Sequence, residues 1–410
     1  LHDRSDGGLI TTLIEMAISS NIGFNITIPY VGYDDIIKYL FNEELGIVIE
    51  INELYKNEIE RKLKNIHVKI DTLGETIFNK RAIVYDNTND VIMNTCLEEL
   101  RNYWEFTSFE IDKKQLVYPH AFNEYSQHIT PIMTHYYLPE HVEIFCVSPY
   151  FINSDINEPP KVAIIREEGS NGDKEMMAAF YYVGCEVYNF TTNELIEKPT
   201  LLDKMRGIVF VGGFSFSDVL GAAKGWYLTI NKNIGLRDKL QTFYKNPRTF
   251  SLGICNGCQL MVHEKIVHPY IKITENSSHR FESRFSTVSI TKSKSILFKN
   301  MEQMAFGIWV AHGEGRFTDT SMLHSNQIVM KYSHGDNHNV ALGYPDNPNG
   351  SEKGIAGICS DDGRHTAMMP HPERCFIKWQ LPYLDKYKNV ENSPWLYMFK
   401  NIFDWCKATK

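Results

Sequence analysis

The stretch Ser251-Leu-Gly253-Ile-Cys255-Asn-Gly257-Cys258 sets a cysteine between two glycines at the spacing G-x-C-x-G. At a strand-to-helix junction this is the thiol version of a nucleophile elbow, a turn so sharp that side chains at either flanking position would collide with it. A sulfur held there stands clear at the N-terminus of the next helix, whose partial positive charge favours the attacking thiolate. The backbone N–H of Asn256 would point at the same spot and supply half of an oxyanion hole. Cys255 and Cys258 also make a C-x-x-C, the mark of a redox pair or of half a zinc site. A zinc site needs two further ligands, and no second C-x-x-C accompanies this one. Spacing alone leaves elbow and redox pair both open, with Cys258 one helical turn along and suited to buried packing.

A nucleophilic thiol needs a base, and the base needs a group to fix its tautomer and support its charge. His371 lies in Met369-Pro370-His371-Pro372-Glu373-Arg374, on a loop bracketed by prolines with a carboxylate two residues on, so Glu373 can orient the imidazole. A histidine on such a loop can also be merely structural; an elbow cysteine in the same domain favours catalysis. Gly212-Gly213, after an apolar run, would let backbone approach a reacting carbonyl and lend the N–H of Gly213 to the oxyanion hole, although a tight turn accounts for one glycine equally well. At the other end of the chain, Asp3-Arg4-Ser5-Asp6-Gly7-Gly8 puts a carboxylate and a hydroxyl on a glycine-rich loop before a helix. Such a loop suits a metal and a phosphate, or is simply a capped turn.

The elements that must hold these groups are legible as patterns. Apolar residues at 9, 10, 13, 14, 17 and 18 predict a helix packed on one side. Ile47 to Ile51 and Arg81 to Tyr85 read as strands, with a mixed-charge helix over Asn52 to Leu63. From Lys161 the rhythm changes: short apolar strands at Lys161 to Ile165, Glu186 to Phe190, Gly207 to Val211 and Thr249 to Ile254 alternate with helices such as Asp173 to Tyr182. The expected fold is α/β, a doubly wound and mainly parallel sheet preceded by a smaller α/β or α+β domain. Ligands bind outside the carboxyl ends of strands in such sheets, which is where Gly212-Gly213 and Cys255 fall. The polar, proline-terminated run 153–160 is the best linker, dividing residues 1–152 from 161–410.

Length, composition and charge set the outer limits. A chain of 410 residues exceeds one compact core, and 43% hydrophobic with 22% charged residues is the balance of an ordinary soluble globular protein. A formal charge of -8 argues against broad nucleic-acid binding, and no apolar run reaches the roughly 18 residues of a membrane span. Eight scattered cysteines point to a reducing, cytoplasmic setting. The chain opens at Leu1, without an initiator methionine and directly on a glycine-rich motif, and is read as the C-terminal piece of something longer.

Residues 161–410 resemble a class I, triad-type glutamine amidotransferase domain, through Gly253-Ile-Cys255-Asn-Gly257-Cys-Gln and Pro370-His371-Pro-Glu373-Arg. More narrowly, the whole chain is similar to the C-terminal part of the large single-chain phosphoribosylformylglycinamidine synthase family. Its matching stretches include His2-Asp-Arg-Ser-Asp-Gly-Gly-Leu9, Glu168-Gly-Ser-Asn-Gly-Asp173, Gly212-Gly-Phe-Ser215, Ala311-His-Gly-Glu-Gly-Arg316 and Asn347-Pro-Asn-Gly-Ser351. Phe216 and Ala223 depart from it, standing where the family has Tyr and Gly. The resemblance implies a Cys255-His371-Glu373 triad that forms a γ-glutamyl thioester and releases ammonia, which travels to a second site where ATP activates formylglycinamide ribonucleotide. It further implies Asp3 as a Mg2+ ligand and Ser5 beside ATP, residues 1–152 as part of the ATP-dependent synthase domain, and upstream sequence of the same polypeptide as the main partner. Other class I amidotransferases, a cysteine hydrolase and a C-x-x-C redox or binding module stand as alternatives.

Overall fold

The computed structural model describes residues 1–66, 68–129, 136–147, 158–335, 338–382 and 391–409. Most of the expected linker, 153–157, lies outside them. The chain divides into two compact units: Leu1–Gln115 with Tyr125–Pro131, and Leu116–Glu124 with Ile132–Lys410. The stretch from 116 to 124 thus groups with the C-terminal unit.

In the first unit a four-stranded sheet has the order β2-β1-β3-β4, with β1 Gly23–Thr27, β2 Gly74–Ile77, β3 Arg81–Tyr85 and β4 Val91–Cys96. Only β1 and β3 run parallel. The helix Gly8–Ser20 buries Leu9, Ile10, Leu13, Ala17 and Ile18 of the one-sided set that its sequence spacing predicts, with Ile14 partly buried. The expected strand Ile47–Ile51 is reduced to Ile47–Val48, paired with His2–Asp3.

The second unit is built on nine strands: β5 Lys161–Arg166, β6 Glu186–Thr191, β7 Gly207–Phe210, β8 Phe250–Ile254, β9 Glu282–Ile290, β10 Ala305–His312, β11 Ile328–Tyr332, β12 Ile355–Cys359 and β13 His365–Met368. Their order is β10-β9-β11-β12-β13-β8-β7-β5-β6. The half from β13 to β6 is wholly parallel, and the half from β10 to β12 continues it antiparallel. The continuous apolar runs foretold the parallel half, because strands covered on both faces need not alternate. In the antiparallel half, β9 mixes serine, threonine, arginine and glutamate among its apolar residues, whereas β10, β11 and β12 are as apolar as the parallel strands and were not marked out.

Strand register establishes that helices cover both faces. Gly253 of β8 is paired with Phe210 of β7, so the two share a face, while Phe250, three residues from Gly253, points to the other. Phe210 meets Trp226 of the helix Lys224–Lys232 edge to face. Phe250 meets Phe180 of Asp173–Tyr182 and Trp405 of the C-terminal helix Pro394–Ala408. All of these rings except the partly buried Trp405 are essentially inaccessible to solvent. Burying side chains of this size contributes about 1.5–3 kcal/mol each, which fixes β8 rigidly between its neighbours.

Candidate active site

Three adjacent parallel strands deliver the principal groups. The strand β8 ends at Ile254 and releases Cys255; β13, on one side, ends at Met368 and leads to His371; β7, on the other, ends at Phe210 and leads to Gly212-Gly213. Gly212 and His371, far apart in the chain, therefore meet because their strands share one carboxyl edge.

Cys255 has φ 52° and ψ -107°, a backbone conformation that a side-chain-bearing residue enters at a cost of about 1–3 kcal/mol. Hydrogen bonds impose it: the Cys255 N–H donates to Met368 O at 3.0 Å, and its carbonyl accepts from Gln259 N at 3.0 Å. Both flanking glycines are required by contact, since a Cβ at Gly253 would lie 2.4 Å from Gly257 O and one at Gly257 would lie 2.0 Å from Phe210 O. The helix Asn256–His263 starts directly after the thiol. The sulfur sits deeper than a turn standing clear implies: Cys255 is 5% exposed, and its S–H is directed at Ala311 O, 3.4 Å away. The end of β10, which the strand patterns did not register, crosses the mouth of the elbow.

His371 and Glu373 are both almost fully buried, and the imidazole Nδ1 lies 2.6 Å from Glu373 Oε1. The His371 N–H donates to Trp309 O at 2.9 Å, which ties the Pro-His-Pro loop to β10. A Cβ at Gly212 would lie 2.9 Å from His371 Cε1 and 3.4 Å from Cys255 Cβ, so ring and cysteine converge on the space that this glycine leaves. Burial opposes charge on the ring, but the Glu373 carboxylate and then the Cys255 sulfur outweigh it and raise the imidazole to about 9. Nδ1 is engaged by the carboxylate, which leaves Nε2 as the nitrogen for the Cys255 sulfur and a reacting group. Cys258 is completely buried and burial pushes its thiol far up, and all eight cysteines are free. That is the behaviour of a packing residue.

Gly213, with φ 135°, lies against the loop that follows β5: a Cβ there would be 2.5 Å from Ser170 Cα. The pairing is fixed by Asn171 N–H donating to Gly212 O and Phe214 N–H to Gly169 O, both at 2.9 Å. Asn256, expected to contribute its backbone N–H to an oxyanion hole, has its side chain engaged in a brace. Its Oδ1 accepts from Ser215 N at 3.3 Å and its Nδ2 donates to Gln259 Oε1 at 3.1 Å, binding the Gly212-Gly213 loop to the elbow helix. Spacing alone could not reveal this brace, nor the roles of Ser170, Ala311 and Trp309, which lie on segments noticed only for their resemblance or not at all.

Asp3 and Ser5 belong to the first unit. Both are exposed; Ser5 O accepts from Gly8 N at 2.9 Å, and Gly7 N–H donates to Glu43 Oε1 at 2.9 Å, so an acidic side chain already occupies this turn. Among the described residues no three His, Cys, Asp or Glu side chains gather into a metal site. Asp3 alone therefore does not make one.

Residues 159–406 match the CobB/CobQ-like glutamine amidotransferase domain, and the chain belongs to that family. Over 99% of its length it is 42% identical to a probable chloroplastic/mitochondrial phosphoribosylformylglycinamidine synthase of Arabidopsis thaliana, covering 30% of that protein. The phosphoribosylformylglycinamidine synthases of Dictyostelium discoideum (38% identity, 99% of this chain, 33% of that protein) and Homo sapiens (36%, 98% and 32%) are similar along the same stretch. The chain thus spans about a third of the length of the curated relatives it matches. No helix among the described residues is long and apolar enough to cross a membrane.

Proposed function

We propose that this chain hydrolyses glutamine through Cys255, His371 and Glu373 and is the ammonia-supplying end of a phosphoribosylformylglycinamidine synthase, which aminates formylglycinamide ribonucleotide at the expense of ATP. The observation that carries the reading is the buried 2.6 Å contact between the imidazole and carboxylate, beside a cysteine on a pinched turn. In this mechanism the Cys255 thiolate attacks the amide carbon of glutamine, and the N–H groups of Asn256 and Gly213 stabilise the oxyanion. His371, held as imidazolium by Glu373, gives its proton to the departing nitrogen from Nε2 and so releases ammonia. It then takes a proton from the water that cleaves the γ-glutamyl thioester, and the resulting glutamic acid loses its proton to solvent.

We assign residues 1–152 to the C-terminal part of the ATP-dependent synthase domain, 153–160 to a linker and 161–410 to the amidotransferase domain; the similarity to much longer relatives supports this division. Ser5 then lies on the ATP side and Asp3 on the Mg2+ side, with the remaining ligands and most of the nucleotide site contributed from upstream in the same polypeptide. A cytoplasmic location fits eight unpaired cysteines.

The test is glutamate release from glutamine. Cys255→Ala abolishes it and Cys258→Ala leaves it largely intact; equal loss from the two would favour the redox pair instead.

A further inference from the structure

The strand whose carbonyl receives the Cys255 S–H ends in His312, a histidine that the mechanism above does not use. It is 2% exposed, and the side chain beside it fixes where its proton sits. Asn349 Oδ1 accepts from the Ser351 N–H at 3.0 Å and from the Ser351 hydroxyl at 2.7 Å. The other end of the amide, Nδ2, must therefore be the group that faces Gly315 O at 2.8 Å, Tyr332 Oη at 3.2 Å and His312 Nε2 at 3.1 Å. A nitrogen that receives an N–H carries a lone pair, so the His312 proton sits on Nδ1. That Nδ1–H is buried and has no hydrogen-bond partner among the described residues. A buried donor left unmet costs about 1–3 kcal/mol, which asks for an acceptor that arrives with the reaction.

Its position restricts what the acceptor can be. Gly315, where a Cβ would lie 2.1 Å from His312 Cδ2, closes the Cδ2 and Nε2 edge of the ring, leaving Nδ1 on the opposite edge. His371 is the charged group that His312 senses, and both are anchored on the same strand, through Trp309 O for His371 and directly for His312. The oxyanion donors Asn256 and Gly213 belong to the elbow and to the loop after β7. The nitrogen of the scissile amide must instead lie towards His371, which protonates it. We propose that the Nδ1–H of His312 donates a hydrogen bond to the ammonia leaving glutamine and holds it beside His371; this rests on the amidotransferase reading and deepens it. The proton that completes ammonia comes from His371 and the C–N electron pair becomes its lone pair, which His312 then binds without transferring a proton. Burial, helped by the charge on His371, depresses His312 to about 3, so it stays neutral and cannot convert ammonia to non-nucleophilic ammonium. Asn349, Tyr332 and Ser351 are the positioning residues that keep the tautomer.

The experiment compares two reactions of the full chain that share the thiol attack but differ in the leaving group. Glutamine expels ammonia; a diazoketone analogue of glutamine alkylates the thiol and expels dinitrogen. His312→Phe is expected to slow glutamate release about tenfold, the worth of one hydrogen bond, while analogue labelling of Cys255 stays within about twofold of the unaltered chain. His312→Gln, which offers an amide N–H, is expected to recover part of the loss. Parallel loss of hydrolysis and labelling, or hydrolysis unchanged in His312→Phe, overturns the role of His312. Failure of the unaltered chain to release glutamate or to be labelled at Cys255 overturns the underlying amidotransferase assignment instead.

Discussion

At the scale of single residues, the chemistry turns on a charge that the interior would reject were it unpaired. An imidazolium buried as deeply as His371 persists only because Glu373 and the Cys255 sulfur stand next to it. Because its folded-state value is raised to about 9 from an ordinary 6.5, the stability this pairing contributes is complete below about pH 6.5 and is lost as pH rises through 9. Glu373→Gln should therefore destabilise the protein more at about pH 6 than at about pH 9.5, a difference that denaturant titration at the two values measures. The same substitution should lower glutamine turnover by about a hundredfold to ten-thousandfold and move the alkaline limb of the labelling rate down in pH. An unchanged limb would detach Glu373 from the base. The identities of Cys255, His371 and Glu373 were legible because each sits in an unusual local context: glycine flanks, proline brackets, a carboxylate two residues on. His312 was not, because its meaning depends on Asn349, 37 residues away, and on which amide end faces it.

At the scale of elements, the site is the shared carboxyl edge of β7, β8 and β13, and the elbow is the point where packing is tightest. A methyl group at position 257 would collide with Phe210 O, so Gly257→Ala should cost about 1–3 kcal/mol and abolish analogue labelling, readable by thermal denaturation and mass spectrometry together. A gentler test lies beside the Gly212-Gly213 loop. Ala223, at the position where the resembling family has glycine, holds φ 60° at the start of the helix Lys224–Lys232. Ala223→Gly should stabilise the fold by about 0.5–1 kcal/mol, the relief of a left-handed alanine less the added freedom of the unfolded chain. The parallel strands could be read from apolar runs bounded by glycine turns, and they place the thiol correctly. Among the antiparallel strands, Glu282 to Ile290 could not, since it mixes serine, threonine and arginine among its apolar residues, and the apolar run Ala305–His312 gives no local sign of which strand it pairs with. The depth of Cys255 beneath β10 was missed because the contact of its sulfur with Ala311 O joins residues 56 positions apart.

At the scale of the whole molecule, the two units carry different halves of the proposed reaction. The C-terminal unit holds the thiol, base and carboxylate, while the first offers a glycine-rich turn with exposed Asp3 and Ser5. In the longer polypeptide, Asp3→Ala should impair ATP-dependent amidation and leave glutamine hydrolysis intact; unimpaired amidation would remove Asp3 from the metal. The change of rhythm after Pro160 was visible, but the grouping of 116–124 and of 136–147 with the second unit was not. That assignment depends on tertiary contacts such as Glu124 with Arg284 at 3.2 Å, between residues too far apart for any local pattern to connect. The central claim is that glutamine becomes covalently attached to one particular sulfur. Acid quenching of the chain during turnover, followed by peptide mass spectrometry, tests it most directly. A γ-glutamyl group on the Cys255 peptide, present during turnover and absent in Cys255→Ala, is the predicted result. Glutamate release with that peptide never acylated, or acylation divided between Cys255 and Cys258, would contradict it.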